Sequence, residues 1–240
     1  MLEVSRHGRV AVLTLARPEQ GNRLTAALAG AVAAELAAAR ADADVGACVL
    51  TGAGDVFCLG GDYEGAGPTA AGRDEYARAL IDMDRAMARL GKPLVAAVNG
   101  DAHAGGFAVV AACDLAIAAA GATFGLPEAA KGLFPFIALA IVRDALPKKV
   151  LFDLIYDARL VDAQRARELH VVNEVVPRAA VLERALAVAA RAAALDPAVV
   201  ALGRGLYYQL RGGVSDDDYE AARVALMEAL AARDRAREPR

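Results

Sequence analysis

The sequence predicts an α/β protein with a helical last third. Two observations support this prediction. A buried strand, a glycine-rich loop and a helix follow one another twice in the first half of the chain, and the second half has mainly helical periodicity. With 240 residues, the chain can bury enough apolar surface to fold without disulfides or metals. We therefore expect the functional residues in the loops that follow the strands.

The first elements follow from the spacing of apolar residues. Alternating apolar residues on either side of His7-Gly8 predict a β-hairpin in the first fifteen residues. Leucine and valine at steps of four from Leu24 predict a helix that ends near Arg40. The short apolar run 47–50 then predicts a buried strand, which leads directly into the first glycine-rich loop.

The same order is then repeated before the chain becomes mainly helical. Apolar residues three and four apart between Tyr76 and Leu90 predict a second helix. Segments 93–98 and 114–118 are predicted strands. Predicted helix boundaries lie near Pro147, Asp162 and Pro177, and Ser215 with Asp218 forms a predicted capping box for the last helix. We find no linker that would separate two domains.

The composition argues against several classes of function. The formal net charge is -3 and the basic residues are scattered, which gives no electrostatic case for nucleic acid or an anionic membrane. Cys48, Cys58 and Cys113 lie in apolar contexts without metal-ligand spacing, so we expect buried reduced thiols and no metal site. The N-terminus lacks an apolar signal segment and no apolar run is long enough to cross a bilayer, which predicts a cytoplasmic protein.

Two glycine-rich segments follow the predicted strands. Segment 52–62 is not a dinucleotide fingerprint, because Phe57 stands where GxGxxG requires glycine. Segment 99–106 precedes the apolar stretch 107–112, so we expect it to end at a helix N-terminus, where free N–H groups favour an oxyanion. Two such loops could supply two donors to a thioester enolate. Tight turns at strand ends are the alternative.

Motifs in and around these loops resemble the enoyl-CoA hydratase/isomerase, or crotonase, superfamily. The resemblance covers about residues 5 to 235 and is carried by Arg17-Pro18 with Asn22, TGAGDVFCLGGD, KPLVAAVNGDAHAGGFAVVAACDLAIA, ATFGLPEAAKGLFP and RELHVVNEVVP. It implies a crotonase-like ββα spiral core over residues 1–185. It also implies a helical C-terminal trimerisation region over 186–240, within the same structural domain. We expect a homotrimer or homohexamer that acts on coenzyme A thioesters without a permanently bound cofactor.

The resemblance also implies roles for individual residues. The oxyanion donors are expected to be the main-chain N–H groups of Leu59 and Gly105. Phe136 stands where many hydratases have glycine, and its ring is expected to reshape the acyl pocket. Residues expected along the groove for coenzyme A are Gln20, Arg23, Leu24, Cys58, Gly60, Gly61 and Asp62.

The acid–base group that the resemblance implies is Glu128, in Gly-Leu-Pro-Glu. Hydratases of the family use two glutamates, but the first position is Ala108 here, which can neither accept nor donate a proton. A single carboxylate predicts an isomerase-like proton shuttle. Alternatively, Glu128 is only a first-turn carboxylate that faces a helix dipole. His103 is an auxiliary candidate, although a loop histidine bonded to the backbone is the simpler interpretation.

Three further functions remain open at this point. A hydratase could work with Glu128 alone or with a local substitute. A decarboxylase or thioester hydrolase could use the same oxyanion hole. A catalytically weak RNA-binding or assembly homologue is a different class, which the loss at Ala108 favours and the absence of a Lys/Arg-rich helix face opposes.

Overall fold

The predicted hairpin, the two strand–loop–helix units and the helical last third are all found in a computed structural model of the chain, which describes residues 1–63, 65–67, 69–211 and 214–237. The strands are β1 Leu2–His7, β2 Val10–Leu15, β3 Ala47–Gly52, β4 Leu94–Val98, β5 Ala102–His103, β6 Leu115–Ala119, β7 Thr123–Gly125, β8 Val161–Asp162 and β9 Glu174–Val176. The α-helices are α1 Ala26–Ala41, α2 Ala70–Arg89, α3 Gly105–Ala112, α4 Phe136–Val142, α5 Lys148–Tyr156, α6 Ala163–Glu168, α7 Val181–Ala193, α8 Pro197–Arg211 and α9 Asp216–Arg237. Short 3-10 helices span Pro18–Gln20, Pro127–Lys131 and Arg178–Ala180.

The main sheet brings the two glycine-rich loops together. Its strand order is β1-β2-β3-β4-β6-β9, with β1 antiparallel to β2 and every following pair parallel. Because β3 and β4 are parallel neighbours, the loops at their carboxyl ends leave the same edge of the sheet. An isolated bridge between Cys58 and Ala102 ties the two loops to each other. The predicted α/β class is confirmed.

Side-chain caps account for where several helices begin. The hydroxyl of Thr25 accepts from the Leu28 amide at the start of α1, and Asp162 caps α6 in the same way. The predicted capping box at the start of α9 is confirmed, since the Asp218 amide donates to Ser215 Oγ at 3.1 Å and the Ser215 amide donates to Asp218 Oδ2 at 3.0 Å.

Several short strands lie outside the predicted elements. Strand β9 pairs with β6 at the edge of the main sheet, and β5, β7 and β8 form a second, three-stranded sheet. The segments β8 and β9 are two and three residues long, which is too short to show a periodicity of their own. The boundary expected at residue 185 falls inside α7, whose buried side packs on the main sheet.

The C-terminal helices α8 and α9 have different surroundings. Helix α9 packs against α2 and α4, and its side chains Leu226 and Leu230 are buried in the interior. Helix α8 instead carries a row of exposed apolar side chains. Residues 212–213 and 238–240 of the expected C-terminal region lie outside the described part of the chain.

The described residues contain neither a single helix suited to span a membrane nor a side-chain cluster suited to hold a metal ion. No single helix is long and apolar enough to span a membrane, and the segments 178–193 and 197–210 reach the required length and hydropathy only when joined across a 104° bend. No cluster of three or more His, Cys, Asp or Glu side chains is arranged to hold a metal ion within the described ranges. The thiols of Cys48 and Cys58 are buried as expected, whereas Cys113 is half-buried.

Candidate active site

A narrow cavity of about 30 Å³ lies where the two glycine-rich loops meet helices α2, α3 and α4. Its walls are mostly apolar, which is typical of a site that excludes water around a small number of polar groups. The polar groups come from the loops, from α2 and from the 3-10 helix Pro127–Lys131. The residues of the wall include Leu24, Gly61, Tyr63, Tyr76, Asp84, Gly105, Ala108, Glu128 and Phe136.

Asn22 fixes the course of the first loop. Its side-chain amide donates to the carbonyls of Ala53 at 2.9 Å and Val56 at 2.7 Å, and its Oδ1 accepts from the Arg17 amide at 2.9 Å. Asn22 is fully buried and has a φ of 52°, a left-handed conformation that asparagine tolerates better than most residues. Arg17 in turn forms an ion pair with Asp62 at 3.2 Å. The Arg-Pro and Asn motif therefore holds both ends of the loop.

The residues expected along the coenzyme A groove are held near this loop, with different exposures. Gln20 is exposed in the 3-10 helix Pro18–Gln20, and the Arg23 guanidinium donates to the Leu59 carbonyl at 3.0 Å. Leu24 pairs with Gly61 in an isolated bridge and lines the cavity. Cys58 lies away from the cavity wall, and burial raises the pKa of its thiol to about 11.

The two loops touch through glycine backbones. Gly60 has a φ of +94°, and a Cβ on it would lie 2.6 Å from the Ala104 Cβ and 3.2 Å from the Gly105 nitrogen. A Cβ on Gly105 would lie 3.6 Å from the Gly61 nitrogen. The main-chain nitrogens of Gly61 and Gly105 are therefore close neighbours on the cavity wall. Ala104, with φ 54° and ψ -123°, holds the turn that places Gly105 at the first position of α3.

The amide of Leu59 is already bonded, which disagrees with its expected role as an oxyanion donor. It donates to the Gly21 carbonyl at 2.9 Å, so it has no proton left for a ligand. No described acceptor takes a hydrogen bond from the Gly61 amide, two residues later. The Gly105 amide belongs to the first turn of α3, whose N–H groups have no partner inside the helix. The free pair is therefore Gly61 and Gly105.

Glu128 is a buried carboxylate on the same cavity. Only 6% of the residue is exposed, and its Oε2 has no hydrogen-bond partner among the described residues. Burial raises the pKa of Glu128 to about 7, an effect that its own main-chain amide and the cation of Lys131 partly oppose. A carboxyl group with this pKa can both accept and return a proton near neutral pH.

Ala108 shares this cavity with Glu128. It lies on α3 and lines the cavity without a polar group. The sequence motifs do not single out the other carboxylate of the wall, Asp84 on α2. Its side chain accepts from the Tyr219 hydroxyl, and burial raises the pKa of Asp84 to about 6. A charged residue at a position of helical spacing between Leu80 and Met87 was the signal that could have revealed it.

Of the two remaining candidates, His103 lies outside the cavity wall and Phe136 lies on it. The His103 Nε2 bonds the hydroxyl of Thr123 at 2.8 Å, Thr123 in turn donates to Asp101, and burial lowers the pKa of His103. The imidazole is thus directed to the second sheet and is not part of the cavity wall. Phe136 does line the cavity, at the start of α4, with its ring 5.7 Å from that of Phe134.

A parallel sheet with two glycine loops at one edge and a buried carboxylate between them is the architecture of an acid–base enzyme. A family model described as enoyl-CoA hydratase/isomerase matches residues 5–235. The chain belongs to this family.

Individual relatives agree with this assignment. The chain is 33% identical over 226 residues to the 2,3-dehydroadipyl-CoA hydratase of Escherichia coli, covering 90% of this chain and 87% of that one. It is 33% identical over 203 residues to an enoyl-CoA hydratase of Mycobacterium tuberculosis, covering 82% and 76%. The structure of carnitinyl-CoA hydratase from Mycobacterium avium superposes with a TM-score of 0.82 at 32% identity, covering 100% of this chain and 97% of that one. The predicted crotonase-type fold is confirmed.

Proposed function

We propose that this enzyme moves a double bond in an enoyl-CoA thioester by shuttling one proton through Glu128. The observation that carries the proposal is a buried carboxylate with a pKa of about 7, whose Oε2 has no partner among the described residues, on a cavity wall that it shares with the apolar Ala108. Hydration of the double bond requires two proton transfers, one from the attacking water and one to the substrate carbon C2. A shuttle needs a single group that takes and then returns the same proton.

In the proposed reaction, the Glu128 carboxylate removes a proton from C2 of a 3-enoyl-CoA. The electron pair of that C–H bond moves toward the thioester carbonyl and gives a dienolate. The protonated Glu128 then delivers the proton to C4, while the double bond forms between C2 and C3. No atoms are gained or lost, and the enzyme returns to its starting state.

Negative charge develops on the thioester oxygen during this step, and main-chain amides are the proposed donors to it. The neighbouring nitrogens of Gly61 and Gly105 support this assignment, which replaces Leu59 by Gly61. Removing one donor of such a pair typically costs about 10²–10³ in kcat. Because these donors belong to the backbone, their test must alter loop geometry and not a side chain.

The proposed substrate is a coenzyme A thioester with no other bound cofactor. Gln20, Arg23 and Leu24 are proposed to line the groove through which coenzyme A enters. Asp62 is proposed to hold the first glycine-rich loop beside this groove through its ion pair with Arg17. A homotrimer or homohexamer is also proposed. Supporting it, α8 and the turn before it expose apolar side chains at helical spacing, namely Leu195, Val199, Leu202, Leu206 and Leu210, each at least half exposed.

Hydration of a 2-enoyl-CoA is the second candidate. The names of the Escherichia coli and Mycobacterium avium relatives favour it, since both are hydratases of coenzyme A thioesters. In this reaction, water adds its hydroxyl to C3 and a proton goes to C2. Glu128 would have to serve both transfers, because Ala108 supplies no second group and the Asp84 carboxylate is occupied by the Tyr219 hydroxyl.

The test offers purified protein a 3-enoyl-CoA and a 2-enoyl-CoA separately and follows the absorbance of the conjugated enoyl thioester. The shuttle predicts a rise with the 3-enoyl substrate that Glu128→Gln lacks. Glu3→Gln, at an exposed position of β1, is the control and should behave as wild type. A fall with the 2-enoyl substrate and no rise with the 3-enoyl substrate would replace the shuttle by hydration. No change with either substrate would reject both.

A further inference from the structure

Tyr76 places a hydroxyl group directly against the proposed oxyanion site. The residue lies on α2 and is only 1% exposed. A Cβ on Gly61 would lie 1.8 Å from the Tyr76 hydroxyl oxygen, so the phenol packs on the α-carbon of Gly61. The ring is held at its edge by Tyr63, with centroids 5.4 Å apart and planes at 64°.

The hydroxyl of Tyr76 has no hydrogen-bond partner among the described residues. Burying a hydroxyl without a partner destabilises a folded protein, and a phenylalanine would pack in the same place without that cost. Such a group calls for an explanation, and a partner that comes with the substrate is one. The Oε2 of Glu128, on the same cavity, also lacks a partner, and in the described part of the chain the remaining buried side-chain atom of this kind is Nε of Arg233.

The surroundings of Tyr76 limit what that partner can be. If the hydroxyl served Glu128, the two groups would be paired here, but each lacks a partner. The neighbouring backbone offers the amide of Gly61, which is itself a donor. Burial raises the pKa of Tyr76 well above its ordinary value, so the phenol stays protonated and can donate. The Tyr76 hydroxyl therefore packs on the residue whose amide is free, on the wall of the same cavity.

We propose that Tyr76 is a further catalytic residue, whose hydroxyl donates a third hydrogen bond to the thioester oxygen beside the amides of Gly61 and Gly105. This role rests on the proposed function. As charge develops on that oxygen, the hydrogen bond from the phenol strengthens, and Tyr76 keeps its proton throughout. No bond in the tyrosine is made or broken.

The first experiment compares Tyr76→Phe with wild type on the 3-enoyl-CoA substrate. We expect kcat to fall by about 10- to 1,000-fold with little change in KM, because the bond is strongest to the charged oxygen. The melting temperature should be unchanged or higher, which a merely structural role of the hydroxyl would not give. Tyr208→Phe, a half-buried phenol on α8 outside the cavity, is the matched control and should keep wild-type kcat. A kcat for Tyr76→Phe within twofold of wild type would overturn the proposal.

A second measurement reads the oxyanion site without turnover. Acetoacetyl-CoA forms an enolate whose absorbance reports how strongly its oxygen is stabilised. In Tyr76→Phe, half-formation of the bound enolate should move to higher pH by about one pH unit for each tenfold loss of stabilisation. Identical titrations of variant and wild type, or no bound enolate on wild type, would overturn the role of Tyr76. If Glu128→Gln keeps full activity but the enolate titration of Tyr76→Phe shifts to higher pH, the proton shuttle is rejected and the role of Tyr76 is supported.

Discussion

Replacing Glu128 by glutamine should make the folded protein more stable at high pH while removing its proposed activity. Glutamine has nearly the same shape as a protonated glutamate but never carries a charge. The wild-type carboxylate is buried without a partner for Oε2, so its ionisation is opposed by the folded state. The substitution therefore removes a destabilising charge and the proposed base in one step.

The size of the effect follows from the pKa of Glu128. Burial raises this pKa from 4.5 to about 7, so the folded state binds the proton more tightly than the unfolded chain does. Such a group contributes its full stability below about pH 4.5 and loses it as the pH rises through about 7. At about 1.4 kcal/mol per pH unit, the loss is about 3 kcal/mol. The free energy of unfolding of Glu128→Gln, relative to wild type, should grow by that amount over the same range.

Urea unfolding at several pH values measures this difference. Circular dichroism is the suitable signal, because the chain contains no tryptophan. Subtracting wild type from variant removes the contribution of all other titrating groups. The exposed control Glu3→Gln should show a difference that does not change with pH. If the Glu128→Gln difference is equally flat between about pH 4.5 and about pH 8, Glu128 does not carry the buried charge that the mechanism requires.

Three other substitutions test neighbouring parts of the structure. Gly61→Ala should lower the melting temperature, because the new methyl group would lie 1.8 Å from the Tyr76 hydroxyl. Adding Tyr76→Phe should restore part of the loss, and thermal unfolding of the single and double variants tests both expectations. Tyr219→Phe should cost about 1–3 kcal/mol of unfolding free energy, and more above about pH 6, because it leaves the buried Asp84 carboxylate without its donor; a cost that is the same at all pH values would contradict this reason. Ala108→Glu should increase the hydration of a 2-enoyl-CoA at least about tenfold by supplying a second acid–base group, with a lower melting temperature; unchanged hydration would show that the missing carboxylate is not limiting.

The elements with a strong hydrophobic period could be predicted from the sequence, and the shortest ones could not. The steps of four from Leu24 correspond to α1, Ala26–Ala41, and the apolar run 47–50 lies within β3. The second sheet is different, because β5 and β8 have two residues each and exist only through pairing with β7. That pairing is a tertiary contact, which no local pattern specifies.

The site could be predicted to the level of the loop but not to the level of the atom. Of the residues that the motifs singled out, Gly61, Gly105, Ala108 and Glu128 line the cavity. Which amide of the first loop is free depends on the hydrogen bond between Leu59 and Gly21, a contact made by the fold. Tyr76 was recognised only as an apolar position of a helix, because its lack of a partner is a property of the surrounding packing.

Ala108 does more than remove a second acid–base group from the proposed mechanism. With an apolar wall facing Glu128, burial is the main cause that raises the pKa of this carboxylate. A cation brought in to stabilise the thioester oxygen would lower that pKa and weaken the base. Main-chain amides and a protonated phenol at Tyr76 would stabilise the oxygen without adding a net charge to the cavity. Stabilising the oxygen without a cation thus favours the enolate and leaves Glu128 as a carboxyl group that can take and return a proton near neutral pH.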